Sequence, residues 1–415
     1  MIINVFIIFI FLLSFLFTIK YKFIQLKFFS NSKEALRNKS SYTAFLLSLG
    51  SHIGAGNILG VTSALILGGP GVLFWMVVCT IFTTIFSLIE NTLGVKYQVQ
   101  IEGERRGGSP YYIYYGLKNK TLSKIFSIFL VLSSTIFFLP IQVKGVSFSL
   151  NNLFNINQYL ILLILLLFSF VFIFNGTNTI TRIINKIVPF MTGLFLIVCM
   201  YGLIIRFNYI DDVLILIIKD AFTIKSGFIS VVILGLKRSL FSNEAGLGTA
   251  PSINSYSDNT PIKQGYLQVL TCFIDTIVMC ILLGVVILLF NVNMDNINSE
   301  QLSITIFENI FPNYGKLIGN IILFTFSLAT IISGYYAGES NMLFNCINKK
   351  DKIENYKFVY KLLFIIGLFI GVFFTNNKIW NLVDYGLVLL GLINIFVIIK
   401  LQVKFKEEIN SKQSL

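Results

Sequence analysis

Two glycine-rich stretches carry the residue types best suited to chemistry in this chain of 415 residues. The first reads Ser51-His52-Ile53-Gly54-Ala55-Gly56-Asn57-Ile58-Leu59-Gly60 and interrupts an apolar run. Glycine permits non-helical dihedrals and close backbone approach. Where a membrane helix unwinds, its freed amides and carbonyls are tolerable only if protein or a cavity satisfies them. Carbonyls of such a break suit a hard cation such as Na⁺, and amides opening the next half-helix suit a carboxylate. The same small residues also suit close helix packing.

The second stretch is Lys237-Arg238-Ser239-Leu240-Phe241-Ser242-Asn243-Glu244-Ala245-Gly246-Leu247-Gly248-Thr249-Ala250-Pro251. Ionisable groups beside or inside a spanning segment are costly unless paired or lining a wet cavity. Two readings stand: a functional site, or a structural cluster in which Lys237 or Arg238 neutralises Glu244, with Asp275 joining either arrangement. Glu90, Glu339 and Asp384 also fall in or near apolar runs. Glu90 and Glu339 suit gating or structural ion pairs. Thr330 and Ser333 offer hydroxyl oxygens on the helix expected to face the first break, although hydroxyls also bond back to their own helix carbonyls. Lys144 is expected to snorkel to the outer surface. His52 is a weak candidate for proton coupling, and Trp75 and Trp380 read as packing or interface anchors.

The elements that position these residues follow from composition. Hydrophobic residues make up 55% of the chain and charged ones 12%, against about 25% charged in soluble domains. Lipid is the solvent that accommodates this excess. A spanning helix needs about 20 mostly apolar residues. Eleven candidate spans occur: 2–19, 41–66, 70–96, 121–144, 158–175, 187–206, 226–249, 264–290, 314–346, 357–375 and 379–400. Segments 20–39, 109–118 and 211–224 read as surface or interfacial helices. Lys and Arg number six in 20–39, six in 96–124, two in 176–186, four in 347–357 and four in 400–415. With eleven spans these loops share one side, which predicts an N-terminus outside and a cytoplasmic C-terminus. Setting the first helix aside leaves five plus five, so the second half must enter the membrane from the opposite side. Paired broken helices in corresponding positions of such inverted repeats point to a binding site at mid-depth.

The same features exclude other classes. No basic stripe is interleaved with aromatics, so the net charge of +13 does not signal nucleic acid. The five cysteines lack metal-ligand spacing, and no nucleophile–base or HExxH pattern supports an enzyme.

At the two breaks the sequence resembles the alanine or glycine:cation symporter family, the sodium:alanine symporters. The matching stretches include Gly54-Ala-Gly-Asn-Ile-Leu-Gly60, Gly68-Gly-Pro-Gly-Val-Leu-Phe-Trp-Met76, Gly107-Gly-Ser-Pro-Tyr-Tyr-Ile113, Ile187-Val-Pro-Phe-Met191 and the run from Lys237 to Pro251. Gln264-Gly, Phe273-Ile-Asp-Thr276, Tyr336-Ala-Gly-Glu339 and Trp380-Asn-Leu-Val-Asp384 follow in family order. The resemblance implies an all-α polytopic fold of leucine-transporter type: a 5+5 inverted repeat with one extra N-terminal helix. The expected divisions are 1–40 for that helix and a basic linker, 41–210 and 211–403 for the repeats, and 404–415 for a cytoplasmic tail.

The resemblance also implies a multi-pass protein of a prokaryotic inner membrane that carries a small neutral amino acid inward with Na⁺, by alternating access and without another cofactor. Gly54, Ala55, Gly56 and Asn57 would hold the substrate carboxylate. Gln142 and Phe241 would line the pocket, with Ser242, Asn243 and Gly246 bordering the second break and Gly334 at the pocket wall. Sodium would lie near Gly54, Asn57, Thr330 and Ser333. Five positions depart from the family: Ala55 replaces a threonine, Lys144 an asparagine, Phe138-Leu139 a Gly-Asn pair, and Gly334 a tryptophan. The lost tryptophan allows a larger substrate such as serine or glutamine. Proton coupling, or a receptor or channel on the same fold, are the alternatives.

Overall fold

A computed structural model describes residues 2–223, 228–292, 294, 297–347, 349–374 and 378–413. Nearly all of this is helical, apart from one antiparallel hairpin, β1 (Val99–Ile101) and β2 (Glu104–Arg106), in register Val99 with Arg106. The hairpin is the one departure from an all-α reading among the described residues. Among the described residues eight helices are long and apolar enough to cross a membrane, and a ninth span forms if one pair bent by 40° is joined.

Helix α1 (Ile2–Lys20) leads into a short surface helix at Phe28–Ala35. The bent pair follows: α2 (Lys39–His52) and α3 (Ala55–Gly68). Asn38 starts α2 by accepting the amides of Ser40 and Ser41, the usual work of an asparagine N-cap. Then come α4 (Val72–Lys96), the hairpin, α5 (Lys120–Leu132) and α6 (Leu139–Phe154), the last two joined through a π turn at Ser133–Phe137. Asn119 and Asn157 cap α5 and α7 in the same way as Asn38.

Helix α7 (Gln158–Ile205) corrects one expectation. A loop was expected over 176–186, because that stretch is polar. Instead the helix resumes at once after a single non-helical residue, Gly176, at φ 68° and ψ −166°. Its 48 residues would measure about 72 Å if straight, more than twice a bilayer's apolar thickness.

The second half of the chain contains α8 (Ile210–Ala221), α9 (Phe228–Asn243) and the single turn α10 (Pro251–Asn254). Helix α8 falls on the segment expected to form a surface or interfacial helix, 211–224; it buries Val213, Ile217 and Ala221 and exposes Leu214, Ile215, Leu216 and Ile218. The span expected over 226–249 begins within residues outside the description, and its regular winding stops at Asn243. Helix α11 (Pro261–Cys272) runs through a nine-residue π stretch, Phe273–Ile281, into α12 (Leu282–Leu289). Helices α13 (Ser299–Ile310), α14 (Gly315–Phe344), α15 (Ile353–Phe373) and α16 (Lys378–Gln413) complete the chain. Of the two tryptophans, Trp75 donates to the Ala221 carbonyl at 3.1 Å and packs against Phe222; the side chain of Trp380 lies outside the described residues. Helix α14 packs against α2, α5, α6, α7 and α13, which makes it the axis around which the site is assembled.

Candidate functional site

The first break lies where α2 gives way to α3. Ile53 leaves helical geometry and Gly54 is extended, at φ −129° and ψ −168°. Any residue adopts that backbone, so Gly54 is required here by space. A Cβ would lie 2.5 Å from Thr330 Oγ1 and 2.6 Å from Gln142 Oε1. The Ala55 amide donates to Gln142 Oε1 at 2.8 Å, and the Gly54 amide to Asn57 Oδ1 at 3.3 Å. Asn57 Nδ2 in turn donates to Asp275 Oδ1 at 2.5 Å. At Gly56 a Cβ would meet the Phe241 ring at 2.4 Å; the ring of the second broken helix therefore lies directly on the first.

The second break follows Asn243. Glu244, Gly246 and Gly248 all have positive φ, at 48°, 85° and 78°, and α10 begins only at Pro251. Glu90 fills the opened turn. Its carboxylate accepts the amides of Gly246 at 3.2 Å and Gly248 at 3.0 Å, and Asn394 Nδ2 at 2.6 Å. Asn394 also donates to the Gly246 carbonyl at 3.0 Å, and Ser109 Oγ to the Gly248 carbonyl at 2.6 Å. Glu90 thus satisfies backbone donors and forms no ion pair among the described residues, contrary to one of its two expected roles.

A buried cavity separates the breaks. His52, Gly56, Asn57, Gln142, Phe241 and Gly334 are among its walls, as are Glu244, Thr249 and Asn341. It offers about 60 Å³ to water centres, room for about four to six water-sized atoms at roughly 10–15 Å³ each. A Cβ at Gly334 would meet nothing within 4 Å, so this position opens onto space.

Oxygen atoms gather at one side of the first break. Thr330 Oγ1 lies 2.9 Å from the Gly50 carbonyl, 3.2 Å from that of Ile53 and 3.1 Å from that of Phe326. Ser333 Oγ, buried without a hydrogen-bond partner, lies against Gly50. The Gly50 and Ile53 carbonyls were not legible in the sequence, since any residue supplies one. Among the described residues no group of three His, Cys, Asp or Glu side chains could hold a metal. The oxygens gathered at this side of the break are neutral carbonyls and hydroxyls. Asn57, expected near the cation, is committed to the Gly54 amide and Asp275 instead.

The ionisable groups pair differently from the simplest sequence reading. Lys237 bonds Asp384 at 2.5 Å, Arg238 donates to Ser63 Oγ at 3.1 Å, and Glu244 accepts from Thr249. Neither cation is bonded to Glu244. Asp275 accepts from Ser242 Oγ at 2.5 Å and Thr276 Oγ1 at 3.1 Å as well as from Asn57. Asn243 caps the broken end of its helix by accepting the Ala245 amide at 3.1 Å. Glu339 lies 3.6 Å from Arg106, which stacks on Tyr336 at 4.7 Å and bonds Glu104 at 2.5 Å. Lys144 does not snorkel freely: it pairs with Glu300 at the start of α13. His52 is occupied through Nδ1 by the Ser48 carbonyl at 2.8 Å and faces Gln268 at 3.2 Å.

A family model for the sodium:alanine symporter family matches residues 1–413. The chain belongs to that family. It is 28% identical over 400 residues to the amino-acid carrier protein AlsT of Bacillus subtilis, covering 93% of this chain and 84% of the relative. The probable sodium/glutamine symporter GlnT of the same organism is 29% identical over 397 residues, covering 92% and 82%. The sodium/alanine symporter AgcS of Methanococcus maripaludis is 28% identical over 359 residues, covering 83% and 78%. Among solved structures, MhsT in complex with L-phenylalanine superposes with a TM-score of 0.62 at 16% identity, covering 86% of this chain and 87% of that one. The structural neighbours share the leucine-transporter type of fold. The apolar helices and the family together make this a multi-pass membrane protein, an amino-acid symporter of sodium:alanine type and not an enzyme, with Na⁺ as the implied coupling ion.

Proposed function

We propose that this symporter moves one small neutral amino acid into the cell with Na⁺ by alternating access around the cavity between the two breaks. The observation that carries the reading is the Ala55 amide, which opens a half-helix inside the protein and is held by a side chain, Gln142, rather than by backbone. A rotation of that carboxamide presents the amide, with the positive end of the α3 dipole, to a substrate carboxylate. Phe241 packs over the ligand from the second broken helix, with Ser242, Asn243 and Gly246 bordering that break. Na⁺ sits among the Gly50 and Ile53 carbonyls, Thr330 Oγ1 and Ser333 Oγ.

The topology that serves this cycle has eleven spans. Gly176 divides α7 into two, and α9 with the turn after it forms one short broken span. Residues 1–40 hold the extra helix and linker, 41–210 and 211–403 the inverted repeats, and 404–415 the cytoplasmic tail, with the N-terminus outside. Glu244, Thr249 and Asn341 then face the cytoplasmic end of the cavity, and the Lys144–Glu300 pair lies on the outer side.

The open space at Gly334 favours a second reading for the substrate, a larger neutral amino acid such as glutamine. Purified protein in liposomes should accumulate labelled alanine, glycine, serine or glutamine under an inward Na⁺ gradient, and the winner identifies the substrate. Equal uptake with the Na⁺ gradient collapsed removes sodium coupling, and binding without accumulation converts the reading to a receptor. Gly334→Trp should shift preference at least about tenfold towards the smallest substrates, since roughly one or two kcal/mol of packing is at stake.

A further inference from the structure

Where α1 ends, the chain reverses through Lys22 and Phe23, at φ 52° and 56°, a left-handed conformation that bulky residues rarely adopt. Just before the reversal the chain meets α16: Lys20 donates to Gln402, and the Tyr21 ring packs on Phe405 at 5.3 Å. The cleft between the two segments is walled by Lys20, Tyr21, Lys22, Lys27, Gln402 and Lys406, with about 710 Å³ of water-accessible space, inside the range of roughly 300–1,000 Å³ typical of ligand sites. No acidic residue lines it. The acids that α16 carries nearby are engaged on another face: Glu408 with Lys96 at 2.7 Å, and Glu407 with Lys404 at 3.1 Å. Lys22, Lys27 and Lys406 are exposed and form no ion pair among the described residues. Lys20 is held in place by Gln402 and by the Phe17 and Tyr21 rings, 5.7 and 5.9 Å from its ammonium.

The cleft is amphipathic in depth. Ile24, Val403 and Ile409 line it beside the lysines, and Leu16 and Ile19 on α1 and Phe396 on α16 are large exposed apolar side chains of the same two helices. Four ammonium groups stand at the level where α1 gives out. We propose that this cleft binds the headgroup of an anionic phospholipid, its phosphate among Lys22, Lys27 and Lys406 and its acyl chains along α1 and α16. Basic pockets between membrane helices bind such headgroups by charge. Flexible lysines act as point charges rather than as a shaped phosphate cradle; this suits a lipid concentrated in the plane of the membrane better than a dilute free anion. The bound lipid ties α1, which packs against α4, α9 and α16, to the last helix. That it belongs to the cytoplasmic leaflet rests on the proposed orientation; the headgroup chemistry does not.

The test compares the full-length protein with the triple variant Lys22→Gln, Lys27→Gln, Lys406→Gln, and with a matched control, Lys118→Gln, Lys120→Gln, Lys124→Gln, in exposed residues outside the cleft. Native mass spectrometry reads retained phosphatidylglycerol, phosphatidylcholine and inorganic phosphate. Wild type and control should retain phosphatidylglycerol in preference to phosphatidylcholine, and the cleft variant should retain about tenfold less or lower still. Equal retention by the cleft variant and wild type overturns the site. Phosphate competing at the same concentration as the lipid overturns the lipid assignment. Should the variant misfold, hydrogen exchange on wild type in nanodiscs decides: phosphatidylglycerol must slow exchange over 20–27 and 402–410 relative to phosphatidylcholine, and no difference refutes the proposal.

Discussion

The two breaks solve one problem, bare peptide groups inside a membrane protein, by opposite means. At the second break the opened backbone is fixed by buried groups on three other segments: Glu90 on α4, Ser109, and Asn394 on α16. At the first, the Ala55 and Gly54 amides rest on two side-chain amides, Gln142 and Asn57, beside a cavity. A carboxylate with three donors is a fixture; a carboxamide that lines the cavity is, in the proposed cycle, an exchangeable cover. The contrast separates the part of the site that is scaffold from the part free to meet a ligand.

The largest effect should come from attacking the fixture. Glu90→Ala removes the acceptor of three buried donors; at roughly 1–3 kcal/mol for each orphaned group, stability should fall by about 3 kcal/mol or more. Thermal unfolding in detergent measures this, and a change below 1 kcal/mol would erase the distinction between the breaks. Next comes a pair of glycine substitutions. Gly246→Val places a branched residue at φ 85° against Ile395 and Phe86, so both stability and uptake should drop, with a stability loss of roughly 2 kcal/mol or more. Gly54→Ala sits at an unstrained φ but drives a methyl into Thr330 and Gln142. Uptake should fall at least about tenfold while the unfolding temperature moves less than for Gly246→Val. Identical profiles for the two variants would show that the breaks do the same work.

A finer cut tests the oxygen cluster. Ser333→Ala removes a hydroxyl that has no hydrogen-bond partner among the described residues, so folding should be nearly unchanged, within about 0.5 kcal/mol. The Na⁺ concentration for half-maximal uptake should nevertheless rise several-fold, and an unaltered Na⁺ dependence would remove Ser333 from the cation site. The smallest effect belongs to the rim. Asp258, outside the spans, has its carboxyl held below the usual range by the Ser40 hydroxyl, with Asn38 and Arg105 adding to the effect. A depressed folded value contributes stability above the ordinary aspartate range of about 4, lost as pH falls through the lower folded value. The group is largely exposed, so Asp258→Asn should cost well under 1 kcal/mol near pH 7. The difference between variant and wild type should vanish in strong acid.

Legibility in the sequence followed the same division. Both breaks were marked by glycine beside asparagine inside an apolar run, although the same residues also suit close helix packing; the structure decides for a break at each. Their partners carried no such mark. Asn394 and Tyr112 meet at the second break across 282 positions, and the Gly50 and Ile53 carbonyls carry no side-chain signature. Gln142 was reached through family resemblance alone. Proximity along the chain misled at Lys237 and Arg238, because the left-handed turn at Glu244 aims its carboxylate at Thr249. Lys144 misled for the reverse reason: its partner, Glu300, lies on a helix remote in sequence. The polar, Thr- and Asn-rich run after Gly176 read as a loop, yet the helix resumes at once past that single positive-φ glycine: tertiary context overrides the weak local propensity of the run.

Helix α14 is a single rod, and three contacts are strung along it: Thr330 at the oxygen cluster, Gly334 at the cavity, Glu339 beside Arg106. Thr330 and Glu339 are nine residues apart in an unbroken helix, about 13–14 Å. A stiff lever of that length cannot be tugged at one end without swinging the other. A shift of the helix that draws Thr330 towards the Gly50 carbonyl should therefore also change how Glu339 lies on the guanidinium of Arg106.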